Sequence, residues 1–483
     1  MAARVRTASG TVEGDWAGEV AVFRGVRFAE PPVGSHRFGA PSPPARWSGI
    51  RNATTIGPAP PQPGCTTAGD DWLNLTVWTP SPGHNGLPVV VWISGGGYLN
   101  CDVANRHFDG TRLASAGSVV VSINYRVGFE GFAHIAGAPA NRGLLDQIAA
   151  LRWVQENIAA FGGDPGNVTV VGQSAGAGSI GALLSMPTMA GLFRRIVLQS
   201  LPATYFSPDL ATDITAEISA ELGCLPKLDD LNNVAPERLV EASRAVTARL
   251  PHYAKRWGAM AYTGTPFSPV VDGEIVQLTP WAAARNGALR GVELLIGHTQ
   301  DEFSLFAGNL GTIEEHDVDR VISSLTPTPG APRYRQAYPS DSPRELGNTA
   351  MSDWLFRMPT LHLAEAAQAN GANVWLYELC WGFGSAGASH GLDTLLLFGT
   401  AHIDTGLTET GSDTITQAEQ LSELIRAEHL SFASGGDPGW AQYEPRAGPT
   451  RVYDTTSHIA NYPEDRSRRI WLDRSFGVLE LNW

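Results

Sequence analysis

Residues 168–178 read VTVVGQSAGAG. Four strand-forming residues, Val168 to Val171, run into Gly172-Gln173-Ser174-Ala175-Gly176, a match to G-x-S-x-G. Residues 175–184 are then suited to open a helix. Strand, turn and helix in that order give the motif its meaning. The turn forces the serine into a strained backbone conformation, and its neighbours two positions away must be small because strand and helix nearly touch. The hydroxyl then emerges at the C-terminal edge of the sheet, beside a helix N-terminus that favours negative charge. Ser174 is therefore read as a nucleophile rather than as part of an ordinary small-residue turn.

A serine needs a base to take its proton and an acid to orient that base. In this arrangement the chain order is Ser, acid, His. Of the 12 histidines, His390 is best placed, in the glycine-flanked loop Gly387-Ala388-Ser389-His390-Gly391 after a strand expected at 373–379. His402 and His298 are the alternatives. The acid is sought after a strand at 292–297, where the sequence reads His298-Thr299-Gln300-Asp301-Glu302 and spacing leaves Asp301 and Glu302 both open. Donors for an oxyanion are the third requirement. The strand at 89–93 ends in Ser94-Gly95-Gly96-Gly97-Tyr98, whose glycines expose backbone N–H groups that Ala175 N–H can join. No phosphate-loop pattern follows these glycines.

The rest of the chain bounds the reading. Of 483 residues, 43% are hydrophobic and 17% charged, so a large core is available and general disorder is excluded. A net charge of −14 with no basic stripe argues against a nucleic-acid partner. Cys65, Cys101, Cys224 and Cys380 are scattered and form no CxxC pair, which suits neither a metal site nor a dense disulfide framework. The start, MAARVRTASGTVEG, lacks the apolar core of a signal peptide, and apolar runs such as 87–93 are too short to span a bilayer. A soluble cytoplasmic protein is expected. Residues 5–26 alternate as an antiparallel hairpin, and 31–64 read as a Pro/Gly-rich surface excursion. Short apolar strands at 73–78, 89–93, 119–123, 168–171 and 196–198 suit a mostly parallel sheet covered by helices on both faces. Helices are expected at 143–160 and 416–432, with helical insertions at about 204–290 and 308–372.

Several motifs occur in an order that resembles the type-B carboxylesterase family, which includes carboxylesterases, cholinesterases and bacterial p-nitrobenzyl esterases. They are Phe28-Ala29-Glu30-Pro31-Pro32-Val33-Gly34 with Arg37-Phe38, Asn124-Tyr125-Arg126-Val127-Gly128 and Gly143-Leu144-Leu145-Asp146-Gln147. Phe161-Gly162-Gly163-Asp164-Pro165, the serine turn, Gln199-Ser200, Thr299-Gln300-Asp301-Glu302, Phe432-Ala433 and Gly436-Asp437-Pro438 follow. The resemblance implies one α/β-hydrolase domain over 1–483, with the insertions as a cap above the site. It implies Ser174, Glu302 and His390 as the catalytic triad, and the N–H groups of Gly96, Gly97 and Ala175 as the oxyanion hole. It also implies a buried structural ion pair between Arg126 and Asp164, and Ser200 close to the triad.

This chain departs from the family pattern at several points. Pro60 and Trp72 stand where a cysteine pair often brackets an early loop. Ser94 replaces the usual histidine before the glycines, Gln173 the usual glutamate before the serine, and Phe303 a common glycine after the acid. Gln173 removes a negative charge, which predicts weaker attraction for cationic substrates and less stabilisation of a protonated His390. The expected reaction is hydrolysis of carboxylic esters of small apolar or aromatic substrates through an acyl-enzyme, with no metal or organic cofactor. Tyr98, Phe129, Phe303 and Trp381, with Gln173, are the expected substrate-binding residues. Acyl transfer or lactone formation on the same triad, and a non-catalytic binding protein of this fold, are the competing readings.

Overall fold

The computed structural model describes residues 2–65, 69–84, 86–189, 191–306, 317–446 and 448–482. Among them thirteen strands join in one sheet. These are β1 Ala3–Arg6, β2 Thr11–Ala17, β3 Val20–Arg27, β4 Ile50–Asn52, β5 Asn74–Thr79, β6 Leu87–Ile93 and β7 Val119–Ile123. They continue with β8 Gly163–Gln173, β9 Arg195–Gln199, β10 Glu293–Thr299, β11 Asn373–Leu379, β12 Thr450–Tyr453 and β13 His458–Ala460. The spatial order is β1-β2-β3-β5-β7-β6-β8-β9-β10-β11-β12-β13, with β4 beside β2. From β7 to β12 every pairing is parallel, whereas β1, β2, β3 and β5 join antiparallel at one end and β13 at the other.

The parallel strands are apolar on both faces because each face is covered. Val89, Val91 and Ile93 of β6 belong to one core layer with Leu144, Leu151 and Val154 of the helix Arg142–Asn157. Val90 and Trp92 point the other way, into a layer with Leu396 and Phe398 of Leu392–Phe398 and Ile425 and Phe432 of Ser412–Gly435. Period-two alternation within an all-apolar strand thus feeds two separate cores. After β6 the chain places β7 on one side and β8 on the other. The loops leaving β6 and β8 therefore open a crevice at the carboxyl ends of the strands, where ligands sit in sheets of this kind.

Three features differ from the sequence expectation. The helix foreseen at 143–160 ends at Asn157 and tightens into the 3₁₀ turn Ile158–Phe161 before Gly162, whose φ is 95°. The excursion 31–64 contributes β4, which pairs with residues 11–13 of β2, an edge left open because β3 pairs only from Asp15 onward. Arg126 pairs with Asp146, not Asp164. Its Nε and Nη2 donate to the two carboxylate oxygens at 2.8 and 2.7 Å, and both side chains are fully buried. Asp164 lies at the start of β8, while Arg126 follows the end of the parallel β7, so a strand length of roughly 20 Å separates them. Asp164 instead accepts from Gly166 N–H in its own turn.

Helices Pro208–Leu222 and Pro236–Thr247 precede β10. Val318–Leu325, Ala331–Ala337, Pro343–Ser352 and Met358–Ala369 lie between β10 and β11. The first part of that second insertion, expected from 308, lies outside the described residues up to 316. Among the described residues no helix is long and apolar enough to cross a membrane.

Candidate active site

Ser174 sits between β8 and the helix Ala175–Leu183 with φ 55° and ψ −124°. A side-chain-bearing residue there costs of order 1–3 kcal/mol, so the surroundings must hold it. They do so by close approach. A Cβ on Gly176 would lie 2.0 Å from the Ile93 carbonyl oxygen, and one on Gly172 would lie 2.6 Å from the Gly176 carbonyl carbon. Only glycine lets β6, β8 and the following helix meet this tightly. Ser174 N–H donates to Gln199 O at 2.9 Å, which ties the turn to β9. Tyr98, which lines the same crevice, and Ser200, buried against Glu302, also have positive φ, 59° and 56°.

Glu302 and His390 come from the loops after β10 and β11. Glu302 is fully buried, and its Oε2 accepts a hydrogen bond from His390 Nδ1. Its Oε1 accepts from Ser200 Oγ at 2.5 Å and from Thr299 N–H at 2.9 Å. Burial pushes the carboxyl up, but the charge on His390 and the bonds from His390, Ser200 and Thr299 outweigh it and hold Glu302 below its ordinary value. Asp301 is engaged differently. Its N–H donates to Ala388 O at 3.0 Å and its Oδ2 accepts from Ala388 N–H at 2.9 Å, so it pins the acid loop to the histidine loop. The alternative histidines lie elsewhere. His298 is buried between Tyr462 OH and Thr299 O, and burial pushes it down to about 4. His402 is exposed and away from the crevice.

A cavity of about 670 Å³ opens over these groups, and Ser174, His390, Gly96, Gly97 and Ala175 all line it. Gly96 has φ 121° and Gly97 φ 62°. The loop is held by its carbonyls: Leu99 and Asn100 N–H donate to Gly96 O, and Thr265 Oγ1 donates to Gly97 O at 2.6 Å. The N–H groups of Gly96, Gly97 and Ala175 donate to no protein atom among the described residues. Three unspent donors beside a serine suit an oxyanion.

Gln173, Tyr98 and Phe303 also line the cavity. Phe129 and Trp381, expected there from the sequence, do not. Phe129 packs into the core edge-on to Phe38, and Trp381 lies in the opposite core layer with its indole N–H on Gln417 Oε1. Residues that carried no motif take their place. Phe356 lies with its ring centroid 4.2 Å from that of His390, and Phe306 at 5.1 Å. Phe356 belongs to a π-helical turn, Asp353–Arg357, whose Arg357 bonds Asp353 and the Gln300 carbonyl of the acid loop. Thr247, Leu250, Thr265 and Leu355 complete the wall from the two insertions.

A mostly parallel sheet with a strained serine turn at its switch point defines an α/β hydrolase. The model of the carboxylesterase family matches residues 1–461. The para-nitrobenzyl esterase of Bacillus subtilis (strain 168) is 34% identical over 96% of this chain and 97% of its own. A Geobacillus stearothermophilus carboxylesterase structure superposes with a TM-score of 0.86 at 34% identity, over 97% of this chain and 99% of that one. A solved PNB esterase gives 0.84 at 34% identity, over 96% and 99%. The chain belongs to the carboxylesterase family and is a carboxylic-ester hydrolase.

Proposed function

We propose that this protein hydrolyses carboxylic esters of small, uncharged apolar or aromatic substrates through an acyl-enzyme on Ser174. His390 takes the Ser174 proton, Ser174 attacks the ester carbonyl, and the Gly96, Gly97 and Ala175 N–H groups receive the oxyanion. Each such donor is worth roughly a hundred- to a thousandfold in rate. His390, oriented by Glu302, then protonates the departing alcohol, and water repeats the sequence on the acyl-enzyme. The observation that carries this reading is the conjunction of the Glu302–His390 hydrogen bond with three unspent N–H donors around one cavity that Ser174 also lines.

The wall supports the substrate class. Among the described lining residues there is no Asp, Glu, Lys or Arg, while Leu250, Leu355, Phe303 and Phe306 contribute apolar surface. A volume of about 670 Å³ suits a small molecule. Tyr98, Phe303 and Gln173 are the residues proposed to contact it, and the two helical insertions are proposed to act as the cap of a single domain. Cytoplasmic residence belongs to the same reading, supported by the sparse, scattered cysteines, and cell fractionation tests it. A panel of short- and long-acyl p-nitrophenyl esters, run with wild type and Ser174→Ala, tests the mechanism. Turnover is expected to vanish in the variant, and wild-type rates there refute the assignment.

A further inference from the structure

We propose that Gln173 is a positioning residue that latches the base at rest: its side-chain amide donates to His390 Nε2, the lone pair that must receive the Ser174 proton. This rests on the roles proposed for Ser174 and His390. Nδ1 of the ring faces Glu302, and a carboxylate only accepts, so Nδ1 carries the hydrogen and the neutral ring presents a lone pair at Nε2. Gln173 Nε2 lies 2.9 Å from that atom. An amide nitrogen has only hydrogens to offer. His390 Nε2 therefore bonds Gln173 and not Ser174, although Ser174 is the next residue.

The carboxamide occupies a built slot. A methyl group on Gly95 would come within 2.8 Å of Gln173 Oε1, and one on Gly391 would stand 3.5 Å from its Nε2. A side chain at Gly95 would crowd the amide, whereas one at Gly391 would be in ordinary contact with it. Gln173 is 7% exposed and lines the cavity, so an ester entering it meets the amide beside the base. One N–H···N bond has to open before Ser174 can reach Nε2.

The other described groups facing His390 act differently. Glu302 holds Nδ1, and Asp393, from the helix Leu392–Phe398, is a buried carboxyl bonded to Tyr377 OH and Thr394 N–H. Phe356 and Phe306 cover the faces of the ring. Gln173 alone in this set donates to the lone pair at Nε2.

Gln173→Met keeps the length of the side chain but cannot donate. Labelling of Ser174 by a small fluorophosphonate at pH 8 is expected to rise about two- to tenfold in this variant. The acid limb of kcat/KM for p-nitrophenyl acetate is expected to move up by about half to one pH unit. Gln173→Glu, which only accepts, moves that limb further the same way. Failure of either readout in the Met variant overturns the latch. If that variant does not fold, the ring ¹⁵N spectrum of wild type decides: an unprotonated Nε2 receiving a carboxamide hydrogen at pH 8 supports the latch, and an Nε2–H overturns it. Loss of turnover in Ser174→Ala and His390→Ala leaves the proposed function standing even where the latch falls. Retained turnover in those variants removes both.

Discussion

Ser200→Ala isolates one hydrogen bond in the network that holds the proposed base. Ser200 Oγ donates to Glu302 Oε1 at 2.5 Å inside a fully buried site, and Thr299 N–H at 2.9 Å is the other donor to that oxygen. Removing the hydroxyl loses a bond to a charged group, about 1.5–3 kcal/mol, while Thr299 keeps the oxygen from being orphaned. The effect carries a sign in pH. Glu302 is held below its ordinary value of 4.5, so its stabilisation is present above that pH and is lost as the pH falls through the folded value. The variant should therefore be less stable than wild type by about 1.5–3 kcal/mol at pH 7.5, and the gap should shrink below the ordinary value. Urea unfolding at pH 7.5 and at acid pH reads this directly. Alongside it, kcat/KM for p-nitrophenyl butyrate should fall by no more than about a hundredfold, the rate equivalent of that bond. A stability gap of equal size at both pH values refutes the reasoning, because it would identify a packing loss that ignores the charge on Glu302.

Two further substitutions probe the site from either side. Glu302→Gln should lower kcat by about four orders of magnitude with a small change in KM, whereas Asp301→Asn, whose side chain still accepts from Ala388 N–H, should stay within about tenfold of wild type. Steady-state kinetics decides, and equal damage from both refutes the separation of roles. Gly176→Ala drives a methyl group to 2.0 Å from the Ile93 carbonyl oxygen, a backbone atom that cannot swing aside. It should destabilise the protein by about 3 kcal/mol or more and abolish activity, and a wild-type melting temperature with full turnover counts against the crowded elbow.

The serine turn and the parallel sheet were legible because both rest on local chemistry. Small residues at fixed offsets around Ser174, glycines after β6, and uninterrupted apolar strands describe their own geometry without reference to distant chain. The N-terminal hairpin and the helices after β7 and before β12 were legible for the same reason, with errors of a few residues at their ends. The family resemblance then singled out Glu302 over Asp301, a choice that spacing alone left open.

Contacts across the chain were of another kind. Gln173 meets a histidine 217 residues further on, and nothing near position 173 announces which way its amide turns. Phe356 faces His390 from an insertion without motifs and Phe306 from just past the acidic motif, while Phe129 and Trp381 pack elsewhere although they stand near motifs. The partner of Arg126 depends on which end of a parallel strand each residue occupies, which the order of letters does not contain. Sequence by itself determined that a strained serine turn is built and where it lies, since strain and side-chain size are local properties. Tertiary packing alone decided what each acid, amide and ring touches, because those contacts are made between strands and loops that meet only when the sheet has closed around them.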